Sequence, residues 1–282
     1  MTGALVTGGG GQLAAEFARV LPGPVHLLAR DELDVTDEAS VQAAVARIRP
    51  RLVVHCAAWT DVDGAEADPD GAARVNEHGS RLVARAARAS DADLLAFSTD
   101  YVFAGDDARG YDESATPDPQ SVYGRTKLAG ERAMHDEHHE MYLVRTAWVF
   151  GARGRNFVRT MLRLGAERDE LQVVDDQRGC PTYTLHLARA AAELVERFPP
   201  GTYHLAGGGD CTWRELAQAV MEGANLPARV EPISSEQLSR PARRPACSIL
   251  RTLHRDAPRL PHWREGLEEC LAELRGDHDA GG

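Results

Sequence analysis

Apolar and polar positions along the chain follow two rhythms in turn. Unbroken apolar runs at residues 4–7, 25–29, 52–58 and 94–97 are each followed by a stretch in which apolar residues recur every three or four positions. Unbroken runs suit parallel strands covered on both faces, and the longer period predicts amphipathic helices. Leu13, Phe17, Val20 and Leu21 mark the first such helix, and Val41, Ala44, Val45 and Ile48 the second, closed by Pro50. Residues 72–89 and 121–134 predict two more helices, and residues 142–148 predict a fifth strand. Strand and helix in strict alternation predict an α/β fold, a Rossmann-type doubly wound parallel sheet. From Gly151 the rhythm loosens into a helix at 155–164, a strand at 171–174, a helix at 183–198 and a capping box, Thr212-Trp213-Arg214-Glu215, before residues 216–221. This predicts a nucleotide-binding domain over residues 1–150 that carries the chemistry. A smaller C-terminal substrate-binding lobe follows over 151–282, with some of its segments returning to the main domain.

Composition narrows the function. The chain has 282 residues, 43% of them hydrophobic, enough for a substantial core. A net charge of −11 argues against nucleic acid or acidic membrane as a main partner. The five cysteines are odd in number, widely spaced and without a C-x-x-C pair, as reduced thiols would be. No 18-residue apolar stretch occurs, and Met1-Thr2-Gly3 leads directly into a strand, so a soluble cytoplasmic protein without a signal peptide is expected. His135, His138 and His139 lie in an acidic run that reads as a solvated helix end, and no metal is expected.

Candidate chemistry gathers where strands end. Gly8-Gly9-Gly10-Gly11-Gln12-Leu13-Ala14 joins the first strand to the first helix, the place where backbone N–H groups can cradle a pyrophosphate. After the second run stands Arg30, where an NAD-specific site would carry an acid. An arginine there can take a 2′-phosphate, which favours NADPH, while the adjacent Asp31 and Glu32 keep NADH open. Ala57, Ala58, Trp59 and Thr60 leave the third run at the same edge, and Ser98 and Thr99 the fourth; alternation lets only one of those two hydroxyls face the site. Tyr123 and Lys127 stand four apart on a predicted helix, one turn from each other on one face. Lys127 is the chain's single lysine, and the other 31 cations are arginine. A compact ammonium is thus kept only beside this phenol, whose pKa it is expected to lower toward working pH.

Taken together, the T-G-x-x-G turn, the hydroxyl after strand four and Tyr-x-x-x-Lys resemble the extended short-chain dehydrogenase/reductase family. Within it the resemblance is to the dTDP-4-dehydrorhamnose reductases, carried by Ser98-Thr99-Asp100-Tyr101-Val102-Phe103, Val122-Tyr123-Gly124, Arg145-Thr146-Ala147-Trp148-Val149, Pro181-Thr182, Tyr203-His204-Leu205-Ala206-Gly207 and Arg244-Pro245-Ala246-Cys247-Ser248. The resemblance implies an NAD(P)H-dependent 4-ketoreductase whose partner is a nucleotide-sugar, a dTDP-4-keto-6-deoxyhexose, acting as monomer or homodimer. It implies Thr99, Tyr123 and Lys127 as catalytic residues, Thr99, Asp100 and Trp148 along the sugar, and Gly11, Gln12, Leu13, Asp34, Val35, Ala58, Trp59 and Thr60 around the cofactor with Tyr123 and Lys127; Gly8, Arg30 and Ala57 join the cofactor set from their places after the strands. Two positions depart from the family: Cys247 stands where asparagine is common, and Ala14 where glycine is. Some relatives dimerise through a magnesium site built from glutamates, and Glu16 falls near one such position; a single residue makes no site. A non-catalytic nucleotide-sensing subunit on the same fold and a sugar-nucleotide epimerase or dehydratase are the competing readings.

Overall fold

The computed structural model describes residues 3–279. Met1 and Thr2, on which the expectation of a leaderless start rests, and residues 280–282 of the predicted C-terminal lobe lie outside that range. Strands β1 (Ala4–Thr7), β2 (Val25–Leu28), β3 (Leu52–His55), β4 (Asp93–Thr99), β5 (Tyr142–Thr146) and, from much later, β10 (Gly201–His204) form one sheet in the order β10-β5-β4-β3-β1-β2. Every pairing in it is parallel.

The period of two assigns the faces. Val6, Val54, Leu95 and Val144 point to one side, where α1 (Gln12–Val20) supplies Ala14 and Phe17 and α8 (Thr184–Arg197) supplies Leu187, Ala188, Ala191 and Leu194. Their neighbours Leu5, Val53, Leu94 and Leu143 point to the other, against α2 (Glu38–Ile48), α5 (Ser80–Ala89) and Met134 of α6 (Val122–Glu137). Both layers are buried, as unbroken apolar strands require. Since α8 and β10 belong to these layers, part of the second half completes the main sheet.

The rest of the second half builds a separate core. Strands β6 (Val149–Phe150), β7 (Glu170–Val174), β8 (Arg178–Gly179), β9 (Thr182–Tyr183), β11 (Cys211–Thr212) and β12 (Arg229–Ile233) pair two by two, as β6 with β9, β7 with β12 and β8 with β11. Helices α7 (Phe157–Glu167), α9 (Trp213–Ala224) and α11 (Trp263–Asp279) enclose Phe150, Val158, Leu216, Val220 and Leu267 against them. The capping box predicted at Thr212 and Glu215 is present at the start of α9.

Four expectations need correction. The run at 52–58 pairs only as far as His55, after which the chain turns out along the sheet edge. The single helix expected over 72–89 is α4 (Pro69–Ala73), a π-helical segment Arg74–Gly79, and α5, which with α3 (Val62–Ala67) crosses α6. The strand expected through Trp148 stops at Thr146, because Trp148 has φ 46. An L-residue pays about 1–2 kcal/mol for that conformation, so the break reflects a fixed demand of the surroundings. Lastly, His138 is not solvated: it caps the end of α6, buried, with Nε2 donating to Ala92 O at 3.1 Å.

Candidate active site

The carboxyl ends of the central strands are polar and buried: Thr7, His55, Thr99, Thr146 and His204 close β1, β3, β4, β5 and β10. At this edge the glycine turn leaves β1. Gly8 has φ +67, and a Cβ there would lie 2.8 Å from Ala57 N, so both conformation and contact demand glycine. Gly9 N donates to Leu28 O and Gly11 N to Gly8 O, each at 2.8 Å. Helix α1 then starts at Gln12 without a side-chain cap, and the missing Cβ of Gly10 borders open space. Uncapped first-turn N–H groups beside open space fit a pyrophosphate.

Around that cradle the residues are tied together. Thr7 Oγ1 accepts from Ala57 N at 3.1 Å and bonds His55 Nδ1 at 2.8 Å, while His55 Nε2 meets Ser80 Oγ at 3.0 Å. Burial first, then the Lys127 charge, pushes His55 down to about 3, so its ring is neutral. Gln12 Nε2 donates to Val149 O at 3.3 Å and its Oε1 accepts from Asn156 at 3.1 Å, joining the turn to the second half. Leu13 packs into the core on the α1 side, and Ala14 is fully buried there. Asp34 accepts from Thr36 N and Oγ1 at 2.9 and 2.8 Å; these bonds, reinforced by Arg30, hold its carboxyl below the usual range. Val35 is buried against Gly79, whereas Arg30 and Thr60 are exposed at the rim.

Tyr123 enters from the first turn of α6. Ser121 caps that helix through Gly124 N at 3.1 Å, and Glu66 of α3 accepts from Val122 N at 2.8 Å, so two carriers fix the turn. A Cβ on Gly124 would run into the Tyr101 carbonyl oxygen, which lets the helix start press against the turn after β4. The Tyr123 phenol is pushed up to about 12 by burial, with the Asp100 charge adding and the Thr99 hydroxyl opposing. Thr99 Oγ1 donates to Asp100 Oδ1 at 3.0 Å and accepts from Tyr101 N at 3.2 Å. Asp100 is itself pushed up to about 6 by burial, and its Oδ2 is buried without a hydrogen-bond partner.

The expected depression of the tyrosine pKa by Lys127 is therefore absent. The lysine Nζ donates to Phe97 O at 2.8 Å, desolvation dominates the phenol, and Tyr123 stays protonated at neutral pH. Of the two hydroxyls, Thr99 is the one beside the phenol, while Ser98 Oγ is buried without a partner.

Trp148 stands apart from this trio in its contacts. Its ring stacks on Trp213 with centroids 3.5 Å apart and planes 4° off parallel, and Trp213 Nε1 donates to Gln177 Oε1 at 3.2 Å. A Cβ on Gly179 would strike the Trp148 indole. The strap from Ala242 to Arg251 closes this side: Arg244 forks onto Asp63 at 3.1 and 2.9 Å, and Cys247 N donates to Gly105 O at 2.9 Å. Cys247 packs with Val102, Phe103 and Tyr111, so the departure from asparagine fills an apolar niche. The strap also brings the Ser248 hydroxyl to Asp100, where it opposes the upward shift.

Sequence reasoning gives no role to Asn76 or Glu66, and it places Trp213 in a capping box, not against Trp148. Asn76 accepts from Trp59 N at 2.8 Å and donates to Trp59 O at 3.1 Å and Thr126 Oγ1 at 3.0 Å. No local signal marks it, because helical periodicity runs on through the π-helical segment. Glu16 is buried and paired with Arg19 at 2.7 Å, and among the described residues no group of three His, Cys, Asp or Glu is arranged to hold a metal. No helix among them is long and apolar enough to cross a membrane.

The family model described as the RmlD substrate binding domain matches residues 1–276. A dTDP-4-dehydrorhamnose reductase of Streptomyces griseus is 46% identical over 286 residues, covering 96% of this chain and 94% of the relative. The chain belongs to the RmlD family of dTDP-4-dehydrorhamnose reductases. Another similar protein, named dTDP-4-keto-6-deoxy-D-glucose reductase, comes from Streptomyces niveus, at 40% identity over 97% of this chain and 98% of the relative. Among solved structures, the dTDP-4-dehydrorhamnose reductase of Bacillus anthracis in complex with NADP superimposes with a TM-score of 0.93 at 39% identity, covering 96% of this chain and 98% of that one. The RmlD resemblance read from scattered motifs thus spans nearly the whole chain.

Proposed function

We propose that the chain is an NADPH-dependent 4-ketoreductase of a nucleotide-linked 4-keto-6-deoxyhexose, dTDP-4-dehydrorhamnose or a related deoxysugar. The observation that carries this reading is the placement of the Tyr123 phenol beside the Thr99 hydroxyl at the edge where the glycine cradle opens. A ketone reduced at that edge needs an acid for its oxygen, and a protonated, half-buried phenol is one. NADPH, when bound, supplies the hydride. Gly8, Gly11, Gln12 and Leu13 would hold its pyrophosphate, Asp34, Val35 and Arg30 its adenosine end, and Ala57, Ala58, Trp59 and Thr60 its flank.

The chain's own residues do the rest. Tyr123 gives its proton to the C4 oxygen and regains one from solvent, while Thr99 donates to the oxygen as negative charge develops on it. Lys127 keeps a positive charge under the reacting centre and would hold the nicotinamide ribose. The unpartnered Asp100 Oδ2 accepts from a sugar hydroxyl, a bond that relieves a buried lone oxygen, and Trp148 walls the sugar. We assign cofactor and catalytic groups to residues 1–150 and the sugar-facing lobe to the later residues, apart from α8 and β10. A cytoplasmic monomer or homodimer would suit this work.

The test is to supply NADPH with a panel of dTDP-4-keto-6-deoxyhexoses and to follow NADPH consumption and the product alcohol. Consumption that needs the sugar and vanishes in Tyr123→Phe supports the assignment; no consumption with any 4-keto sugar ends it.

A further inference from the structure

Lys127 carries its charge in an unfavourable place. The side chain is buried, and its hydrogen bond goes to a neutral carbonyl, Phe97 O, at 2.8 Å. An ammonium removed from water and given only a carbonyl tends to lose its proton. One turn further along α6, Glu131 is buried as well. Its carboxylate is held at both oxygens by Arg145 of β5, with Nε to Oε1 at 3.0 Å and Nη2 to Oε2 at 2.7 Å. Arg145 is fixed in turn over the Phe103 ring, 5.2 Å from its centroid. Lysine and glutamate four apart lie on one helix face, with the acid toward the helix C-terminus.

We propose that Glu131 is a positioning residue for the reaction: its carboxylate, locked by Arg145, holds Lys127 in the ammonium form inside the dry slot between α6 and β4. Its part in catalysis rests on the reductase reading, but the charge state of Lys127 does not. Glu131 makes no direct ion pair with the lysine but lies one turn away on the same face of α6, and the other groups near the lysine add no negative charge. On α6, Tyr123 is a neutral phenol. From the end of β3, His55 is a neutral imidazole and burial raises the Cys56 thiol far above neutrality, so neither adds a charge. Arg145 from β5 forks onto Glu131 and is not among the groups that shift the lysine. Burial brings Lys127 down to about 8, and Glu131 is the foremost group pulling the other way. Without it a larger share of the lysine would be neutral near pH 7.

The single lysine makes the charge directly observable. Protein grown with ¹⁵Nζ,¹³Cε-lysine carries one labelled side chain, and its titration reads Lys127 in the free protein without substrate. Glu131→Gln should lower that pKa by at least about one unit, a tenfold change in the protonated fraction above it. Because the cation is the working form, the alkaline fall of kcat/KM should move down by the same amount. Glu131→Asp, which restores the charge, should recover most of the shift. Should Glu131→Gln fail to fold with Arg145 left uncompensated, the double variant Glu131→Gln, Arg145→Gln keeps the shape with no buried charge, and it too should lower the Lys127 pKa. A Lys127 titration unmoved in whichever of these variants folds overturns the proposal. A chain inactive toward every 4-keto sugar would instead overturn the reductase reading, while the lysine titration still decides the role of Glu131.

Discussion

Replacing Asn76 by alanine should uncouple cofactor binding from chemistry. Asn76 makes three hydrogen bonds from the π segment, one from Trp59 N, one to Trp59 O and one to Thr126 Oγ1, so it fastens the Ala57–Thr60 flank to α6. Each such bond contributes about 1 kcal/mol net, and Asn76 is 1% exposed, so water cannot take its place without rearrangement. The loss should total about 2–4 kcal/mol, divided between global stability and the order of the flank. If about 1.4 kcal/mol of it falls on the cofactor site, the NADPH Kd rises tenfold. Tyr123 shares α6 with Thr126 but keeps its own anchors, the Ser121 cap and the Glu66 bond to Val122 N, and Thr99 stays on β4, so kcat at saturating NADPH should change by less than about threefold. Fluorescence titration with NADPH gives the first number and initial rates the second. An NADPH Kd within twofold of wild type in a folded Asn76→Ala protein would refute the tether.

Three other outcomes follow from the geometry. Arg30→Ala should lower kcat/KM with NADPH more than with NADH; equal losses would show that the exposed guanidinium does not meet the 2′-phosphate. Gly179→Ala drives a methyl into the Trp148 indole, and overpacking of this kind costs about 1–3 kcal/mol. Its KM for the sugar should therefore rise with little change in NADPH affinity, as steady-state kinetics would show. The neutral His55 should make the fold acid-sensitive. Its folded value of about 3 lies below its ordinary one, so the stability it gives is complete above pH ~6.5 and is lost as pH falls toward 3. Urea unfolding at a series of pH values should show a steeper decline for wild type than for a folded His55→Gln variant.

The sheet was legible because strands buried on both faces leave an unmistakable run of apolar residues: β1 matched the expected run, and Leu94 and Leu143 face one layer while Leu95 and Val144 face the other. That Tyr123 and Lys127 share one helix face was legible from spacing, whereas strand alternation leaves Ser98 and Thr99 open and the family resemblance chooses Thr99. What escaped depended on contacts distant in sequence. Trp148 breaks its strand because of Gly179 and Trp213, which lie 31 and 65 residues away and leave no local mark. The Tyr123 pKa was misread because spacing brings Lys127 near but says nothing of where its ammonium bonds or how dry the phenol is. Asn76 was passed over because helical periodicity continues through the π segment.

The proposed activity is one transfer: hydride to the sugar C4, with Tyr123 supplying the proton. NADPH deuterated at its transferable position, incubated with dTDP-4-keto-6-deoxyhexose and the wild-type protein, should yield a 4-hydroxy sugar bearing deuterium on C4. Tyr123→Phe, which still has the glycine cradle and Lys127, should bind the coenzyme with nearly unchanged affinity and form this product at least about a hundredfold more slowly. Deuterium at another sugar carbon, or a Phe variant that keeps more than about a tenth of the wild-type rate, would contradict the assignment of Tyr123 as the acid of a 4-ketoreductase.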